Sequence, residues 1–259
     1  MIRVEAGTHT LALDASGTGP PDFVCIHGLV DTLRIWDRLS VPLAERGRVV
    51  RLDQRGHGRS TTPPGPYRRE DLAGDVRRVL DAENIERAIL IGHSLGGIVA
   101  MTTALAVPDR VAGLVLLGTA SHCNERTAGW YERIAGAAEA DGLEGLARSI
   151  YGKDSRRRID GDPEGIAHVT RTLKSLYDDP LTPKLSSLLA PALLIVGEKD
   201  PMGPRASEII RDQLPLGTLE VLSGLGHWTH VEAPELVIAA LDRWLETHRL
   251  GRGHQGVRG

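Results

Sequence analysis

Ala88-Ile89-Leu90-Ile91-Gly92-His93-Ser94-Leu95-Gly96-Gly97-Ile98-Val99-Ala100 changes character half-way along. Its first four residues are a short apolar run, the pattern of a fully buried strand. Beyond Gly92 the apolar residues return as Leu95, Ile98, Val99 and Met101 among small ones, which reads as a buried helix. Ser94 stands at the junction, with a glycine two residues before it and another two after. A Gly-x-Ser-x-Gly pentad at a strand-to-helix turn lifts the serine hydroxyl above the sheet edge. The glycines are a steric requirement, because a Cβ at Gly92 or Gly96 would collide with neighbouring backbone in so tight a turn. The serine itself sits strained, at a helix N-terminus whose open N–H groups favour negative charge.

On either side of this stretch, strands and helices alternate. Residues 2–6 and 10–14 alternate weakly and suit an antiparallel hairpin at a sheet edge. Buried strands follow at 23–26, 49–52 and 111–117, with helical spacing over 33–45 (interrupted by Pro42) and 69–84. Residues 121–187 hold no strand-like run but several helical stretches, at 130–140, 143–151 and 163–177. Alternation resumes with strands at 192–196 and 218–222 and helices at 206–213 and 234–248. The expected fold is α/β: a mostly parallel, doubly wound sheet with helices on both faces and an inserted helical lid. In segments this gives residues 1–120 as the first part of the core, 121–187 as the lid, 188–248 as the second part and 249–259 as a flexible tail.

Composition narrows the function classes. The 259 residues are 41% apolar and 25% charged, suited to one large α/β domain. A net charge of -3 gives no polyanion-binding signature, so no nucleic-acid partner is expected. Two cysteines make no disulfide framework. No stretch is long and apolar enough to cross a membrane, and no N-terminal secretory pattern stands out, so a cytoplasmic protein is expected. No His/Cys spacing suggests zinc, and no Lys-Ser or Lys-Thr follows the glycines of 92–97 as in a P-loop. The expectation is chemistry without metal or cofactor.

A neutral serine is a poor nucleophile; it needs a base, and the base needs an orienting carboxylate. In an open parallel sheet, chemistry gathers at the carboxyl ends of the strands. Of ten histidines, His227 in Gly224-Leu225-Gly226-His227-Trp228 follows the last strand and is the preferred base, with His230 the alternative. His93 should be turned away by the elbow; His9, His122, His168, His248 and His254 read as surface residues. Gly197-Glu198-Lys199-Asp200-Pro201 follows another strand, and Asp200, deeper in the turn, is preferred over Glu198 as the carboxylate. Donors for the developing oxyanion are expected from the backbone N–H groups of Leu95 and of Leu29 in His27-Gly28-Leu29.

Five motifs in order now stand together: His27-Gly28, Asp53-x-Arg55-Gly56-His57-Gly58-x-Ser60, Gly92 to Gly97, Gly197-x-x-Asp200 and Gly226-His227. Over roughly residues 4–245 the chain resembles the α/β-hydrolase fold superfamily. The resemblance implies a Ser94, Asp200, His227 triad, in that family's chain order. It also implies that Asp53, Arg55 and His57 form a structural turn beside the elbow. Serine at 94 sets the chain apart from the haloalkane dehalogenases and related epoxide hydrolases, which carry aspartate there. Its size and single lid resemble small esterases and the 3-oxoadipate enol-lactonase and acyl-homoserine lactonase branches. That points to a small-molecule ester or lactone as substrate. Candidate pocket residues are Val30, Trp130, Tyr131, Ile134, Tyr177 and Trp228 beside Leu29 and Leu95, with Asp31 and Arg34 as polar fixtures or a solvated helix start. A carbon–carbon bond hydrolase or lyase with the same triad is the enzymatic alternative; a slow or non-catalytic ligand receptor is the alternative of another class.

Overall fold

The computed structural model describes residues 1–154 and 157–251. Eight strands form one sheet: β1 (Ile2–Glu5), β2 (Thr10–Ser16), β3 (Asp22–Ile26), β4 (Arg48–Leu52), β5 (Ala88–His93), β6 (Val111–Leu117), β7 (Ala192–Gly197) and β8 (Gly217–Leu222). Their spatial order is β1-β2-β4-β3-β5-β6-β7-β8. The β1–β2 hairpin pairs antiparallel at one edge and β2 joins β4 antiparallel, while every pairing from β4 to β8 is parallel. The helices are α1 (Asp37–Ala44), α2 (Arg69–Ala82), α3 (Leu95–Ala106), α4 (Glu125–Tyr151), α5 (Pro163–Asp178), α6 (Gly203–Gln213), α7 (Thr229–Glu232) and α8 (Pro234–Thr247).

The two-residue period of the strands divides the core into two layers. Val24, Ile26, Leu90, Leu114 and Leu194 face one way and pack with Leu72 and Val76 of α2, Ile98 of α3 and Ile210 of α6. Phe23, Cys25, Ile89, Ile91, Val115 and Ile195 face the other way, onto Leu39 and Leu43 of α1 and Val237, Leu241 and Trp244 of α8. Both faces are therefore covered, which is why these strands are continuous apolar runs rather than alternating ones.

The chain leaves β3 toward β4 on one side and continues from β5 toward β6 on the other. The crevice between the carboxyl ends of β3 and β5 is thus the topological switch point, where ligands bind in open α/β sheets. Ile26 pairs with Gly92 and His93 with Leu117, so the loops after β3, β5 and β6 open at one level.

Two stretches differ in detail from the periodicity. Residues 33–45 divide into a 3-10 turn, Leu33–Trp36, and α1, in which Pro42 has no N–H to donate to the preceding turn. Between β6 and β7 lie α4, α5 and a 3-10 segment, Thr182–Ser187. Gly142, at φ +65, interrupts α4 and separates the two helical stretches read on either side of it. Asn124 caps α4 by accepting from the Thr127 N–H at 2.9 Å, and Asp162 caps α5 by accepting from Gly165 N–H at 2.8 Å. Most of the expected tail, residues 252–259, lies outside the described residues. No helix among the described residues is long and apolar enough to cross a membrane.

Candidate active site

Ser94 occupies a φ of +52 and ψ of -116 at the start of α3, a conformation that costs energy for any residue with a Cβ. Backbone contacts hold it there. Its N–H donates to Leu117 C=O at 2.9 Å, and its C=O accepts from Thr119 Oγ1 at 2.7 Å and from Gly97 N–H at 3.0 Å. The flanking glycines meet the expected steric need: a Cβ on Gly92 would lie 2.3 Å from Gly96 O, and one on Gly96 would lie 2.0 Å from Ile26 O.

Asp200 and His227 meet across the ends of β7 and β8. His227 Nδ1 donates to Asp200 Oδ2 at 2.8 Å, and the Asp200 side chain is wholly buried. Its other oxygen accepts from Met202 N–H at 2.8 Å, so both oxygens are used and the carboxylate cannot rotate freely. The turn is close: a Cβ on Gly118, itself at φ +50, would fall 2.7 Å from Asp200 Oδ2 and 3.2 Å from His227 Nδ1. Glu232 of α7 accepts from the N–H groups of Gly226, at 2.9 Å, and Trp228, at 3.2 Å, clamping the loop that carries His227. Glu198 instead accepts from Ser223 and Gly224 as a turn residue.

Ser94, Asp200, His227, Leu29 and Leu95 all line one cavity of about 660 Å³, within the usual range for small-molecule sites. Among the described residues, neither the Leu29 nor the Leu95 backbone N–H has a hydrogen-bond acceptor. Nor is Ser94 Oγ hydrogen-bonded to His227; such bonds are commonly long without ligand and tighten in the substrate complex.

The loop bearing Leu29 is fixed from below. His57 Nε2 donates to Leu29 C=O, His27 Nδ1 donates to Gly28 C=O at 2.7 Å, and His27 Nε2 accepts from Gln54 N–H at 3.0 Å. Asp53 accepts from Leu33 N–H at 2.7 Å and Arg59 N–H at 3.0 Å, while Arg55 is held by Asp75. These side chains build the turn and do not line the cavity.

Val30, Trp130, Tyr131 and Trp228 line the cavity as expected from sequence, but two candidates do not. Ile134 is buried inside the core formed with the helical insertion, because its position on α4 faces α5. Tyr177 is 47% exposed and points outside the cavity from the last turn of α5. In their place stand Ile98, Ile150, Tyr151, Arg157, Leu173 and Met202. Those from the helical insertion carried no sequence signal, since which of its residues face the cavity depends on how α4 and α5 pack.

Other histidines also differ from expectation. His93 is buried, not turned away. Its Nε2 donates to His227 C=O at 3.1 Å, and its ring lies 4.6 Å from that of His227. Burial, helped by the His227 ring, lowers the His93 pKa. Asp31 turns inward too, its Oδ2 3.5 Å from His93 Nδ1 and 3.4 Å from Trp228 Nε1, while Arg34 stays exposed. Burial pushes the Asp31 carboxyl up, but the adjoining His93 more than offsets this and holds it at about 2. His230 is fully buried against Trp36 and His93, away from the cavity, with neither ring nitrogen hydrogen-bonded among the described residues. His9 is buried as well, 3.0 Å from Asp75.

Four buried imidazoles, those of His27, His57, His93 and His230, set an acid limit on stability. Burial lowers the His27 pKa to about 3, and lowers that of His230. An unfolded histidine titrates near 6.5. Below that pH the unfolded chain binds protons that the native state refuses, so stability is complete above about pH 6.5 and is lost as pH falls toward 3. Denaturation curves should lose about 1.4 kcal/mol per pH unit for each such histidine. His27→Gln, though less stable at neutral pH, should show a slope shallower by about one proton. A flat profile from pH 7 to pH 4.5 would contradict the assignment.

Residues 23–240 match the model of the alpha/beta hydrolase family. The chain belongs to that family, and is an enzyme of it. It is 29% identical to 3-oxoadipate enol-lactonase 2 of Acinetobacter baylyi over 232 residues, 83% of this chain and 85% of that protein. It is 27% identical to the pimeloyl-[acyl-carrier protein] methyl ester esterase of Nitrosomonas europaea, over 90% of this chain and 98% of that one. Among solved structures, a thermophilic esterase from Thermogutta terrifontis superposes with a TM-score of 0.86 at 25% identity, covering 95% and 98% of the two chains.

Proposed function

We propose that this member of the alpha/beta hydrolase family is a serine hydrolase that cleaves a small carboxylic ester or lactone through an acyl-enzyme, without a cofactor. One observation carries the reading: Ser94 on its strained turn and the His227 bound to buried Asp200 line the same cavity. Because Nδ1–H of His227 is committed to Asp200, the Nε2 lone pair is left to act as base. Ser94 Oγ attacks the substrate carbonyl carbon as its proton passes to Nε2. The N–H groups of Leu29 and Leu95 donate to the oxyanion, preorganised because their loops are already fixed. Collapse expels the alkoxide, which takes the proton from Nε2; in a lactone it stays tethered to the acyl group. A water molecule, deprotonated by the same nitrogen, then attacks the acyl-enzyme and releases the acid, restoring Ser94. The enol-lactonase and methyl ester esterase among the relatives support this substrate class.

A fluorophosphonate should label the protein one to one at Ser94, located by peptide mass mapping, and abolish turnover of short esters and lactones. Full ester turnover by protein that resists labelling would contradict the proposal.

A further inference from the structure

We propose that Asp31 sets the specificity of this site by accepting a hydrogen bond from a hydroxyl group of the substrate, carried on a carbon close to the scissile carbonyl. The proposal rests on the serine hydrolase reading above and names the kind of ester or lactone that the cavity takes.

Asp31 lines the cavity together with Leu29 and Ser94. Its N–H donates to Gly28 C=O at 3.3 Å, so residues 28–31 close a turn. The turn folds the carboxylate back over Gly28, where a Cβ would lie only 2.9 Å from Oδ2. Gly28 directly precedes Leu29, the oxyanion donor of the proposed mechanism, so the carboxylate stands beside the seat of the substrate oxygen. Oδ2 accepts from Trp228 Nε1–H at 3.4 Å and lies 3.5 Å from His93 Nδ1. Oδ1 accepts no hydrogen bond among the described residues, and it remains accessible.

That oxygen selects by chemistry. Although burial pushes the Asp31 carboxyl up, His93 holds it at about 2, so the group stays ionised. A carboxylate has only lone pairs to offer; it matches donors and rejects other acceptors. Held largely away from bulk water, it is costly until those lone pairs are met, and a substrate donor supplies what the protein does not. Arg157 already brings a positive charge to the same cavity, so a neutral hydroxyl suits it better than an ammonium group. The charge also bears on the rate. A fixed negative group beside the oxyanion opposes the charge that develops there, and a hydroxyl bonded to that group draws part of it away. The gain from the hydroxyl should therefore appear in kcat as well as in KM.

Matched esters test this. Methyl 2-hydroxybutanoate and methyl 3-hydroxybutanoate are compared with their methoxy counterparts, which keep the oxygen and lose the donor; methyl butanoate reports the general activity of each protein. The wild type should favour the better hydroxy ester over its methoxy partner about ten- to hundredfold in kcat/KM. In Asp31→Ala the ratio should fall to near one. In Asp31→Asn the Trp228 N–H keeps the amide oxygen on its own side and leaves the amide N–H groups to the cavity, so the preference should vanish or reverse. A loop merely loosened by substitution slows all the esters together and leaves the ratio alone. No hydroxyl preference in the wild type, or a ratio that either folded variant leaves unaltered, would overturn the proposal. If no ester turns over even in the wild type, the hydrolase reading fails instead, and NMR titration with the same esters decides the role of Asp31. Tighter binding of the hydroxy ester by the wild type but not by Asp31→Ala would then support it, and equal binding would overturn it.

Discussion

Ser94→Ala is expected to lower kcat/KM on the best ester or lactone substrate by on the order of 10³-fold or more, while leaving the fold intact. In the proposed mechanism, removing Oγ removes the atom that carries the acyl group; what remains is the attraction of the Leu29 and Leu95 N–H groups for an oxyanion formed by water attack. The fold should survive because nothing that holds the turn uses the hydroxyl. Ser94 is fixed through its backbone, by Leu117, Thr119 and Gly97, and alanine presents the same backbone groups with a Cβ of the same kind. Melting temperature should therefore stay within about 2 °C of wild type, since a change well under 1 kcal/mol moves a chain of this size very little. The measurement is initial-rate kinetics beside thermal melting by circular dichroism. Residual activity within tenfold of wild type would show that the nucleophile is another group.

How far the sequence alone could reach depended on whether a residue's neighbours were local. The strands were legible because a fully buried strand must be apolar on both faces, and the turn at Ser94 because only glycine fits beside it. Asp200 and His227 could be placed because parallel strands present their following loops at one edge, whatever the tertiary detail. The helical insertion was legible only as helices. Periodicity showed that α4 and α5 each have an apolar face, but one face packs the pair together and another closes the cavity. Ile134 fell on the first, and Tyr177 on neither. Arg157 sits in an arginine run that reads as solvated surface until Trp228, 71 positions later in the sequence, is brought to its side. Asp31, which lines the cavity, could be read only as either a polar fixture or part of a solvated helix start, and His9 was illegible for a related reason. A polar residue reads as exposed unless its partner is known, and theirs are His93 with Trp228, and Asp75.

Gly96→Ala should have the largest effect on stability of any single methyl group added to this chain's turn. The new Cβ would stand 2.0 Å from the Ile26 carbonyl oxygen, 2.6 Å from its carbon and 2.8 Å from the His27 oxygen. All three are backbone atoms of β3 and the loop it enters, so no side chain can swing aside. Either α3 rises from the sheet or β3 shifts against β4 and β5, and both movements open the apolar layer that Ile98, Val24 and Leu90 share. A cost of about 3 kcal/mol or more follows from overpacking against backbone, equivalent to a melting temperature lower by roughly 6–12 °C for a domain of this size. Activity should fall with it, because the same movement carries the Leu95 N–H away from Leu29. Gly74→Ala is the matched control. It lies inside α2 with nothing within 4 Å of its added Cβ, so the methyl group should leave stability unchanged or raise it by about 0.5–1 kcal/mol through helix propensity alone. A Gly96→Ala protein that melts with the wild type would mean that α3 does not approach β3 this closely, and the geometry that sets Ser94 above the sheet would fall with it.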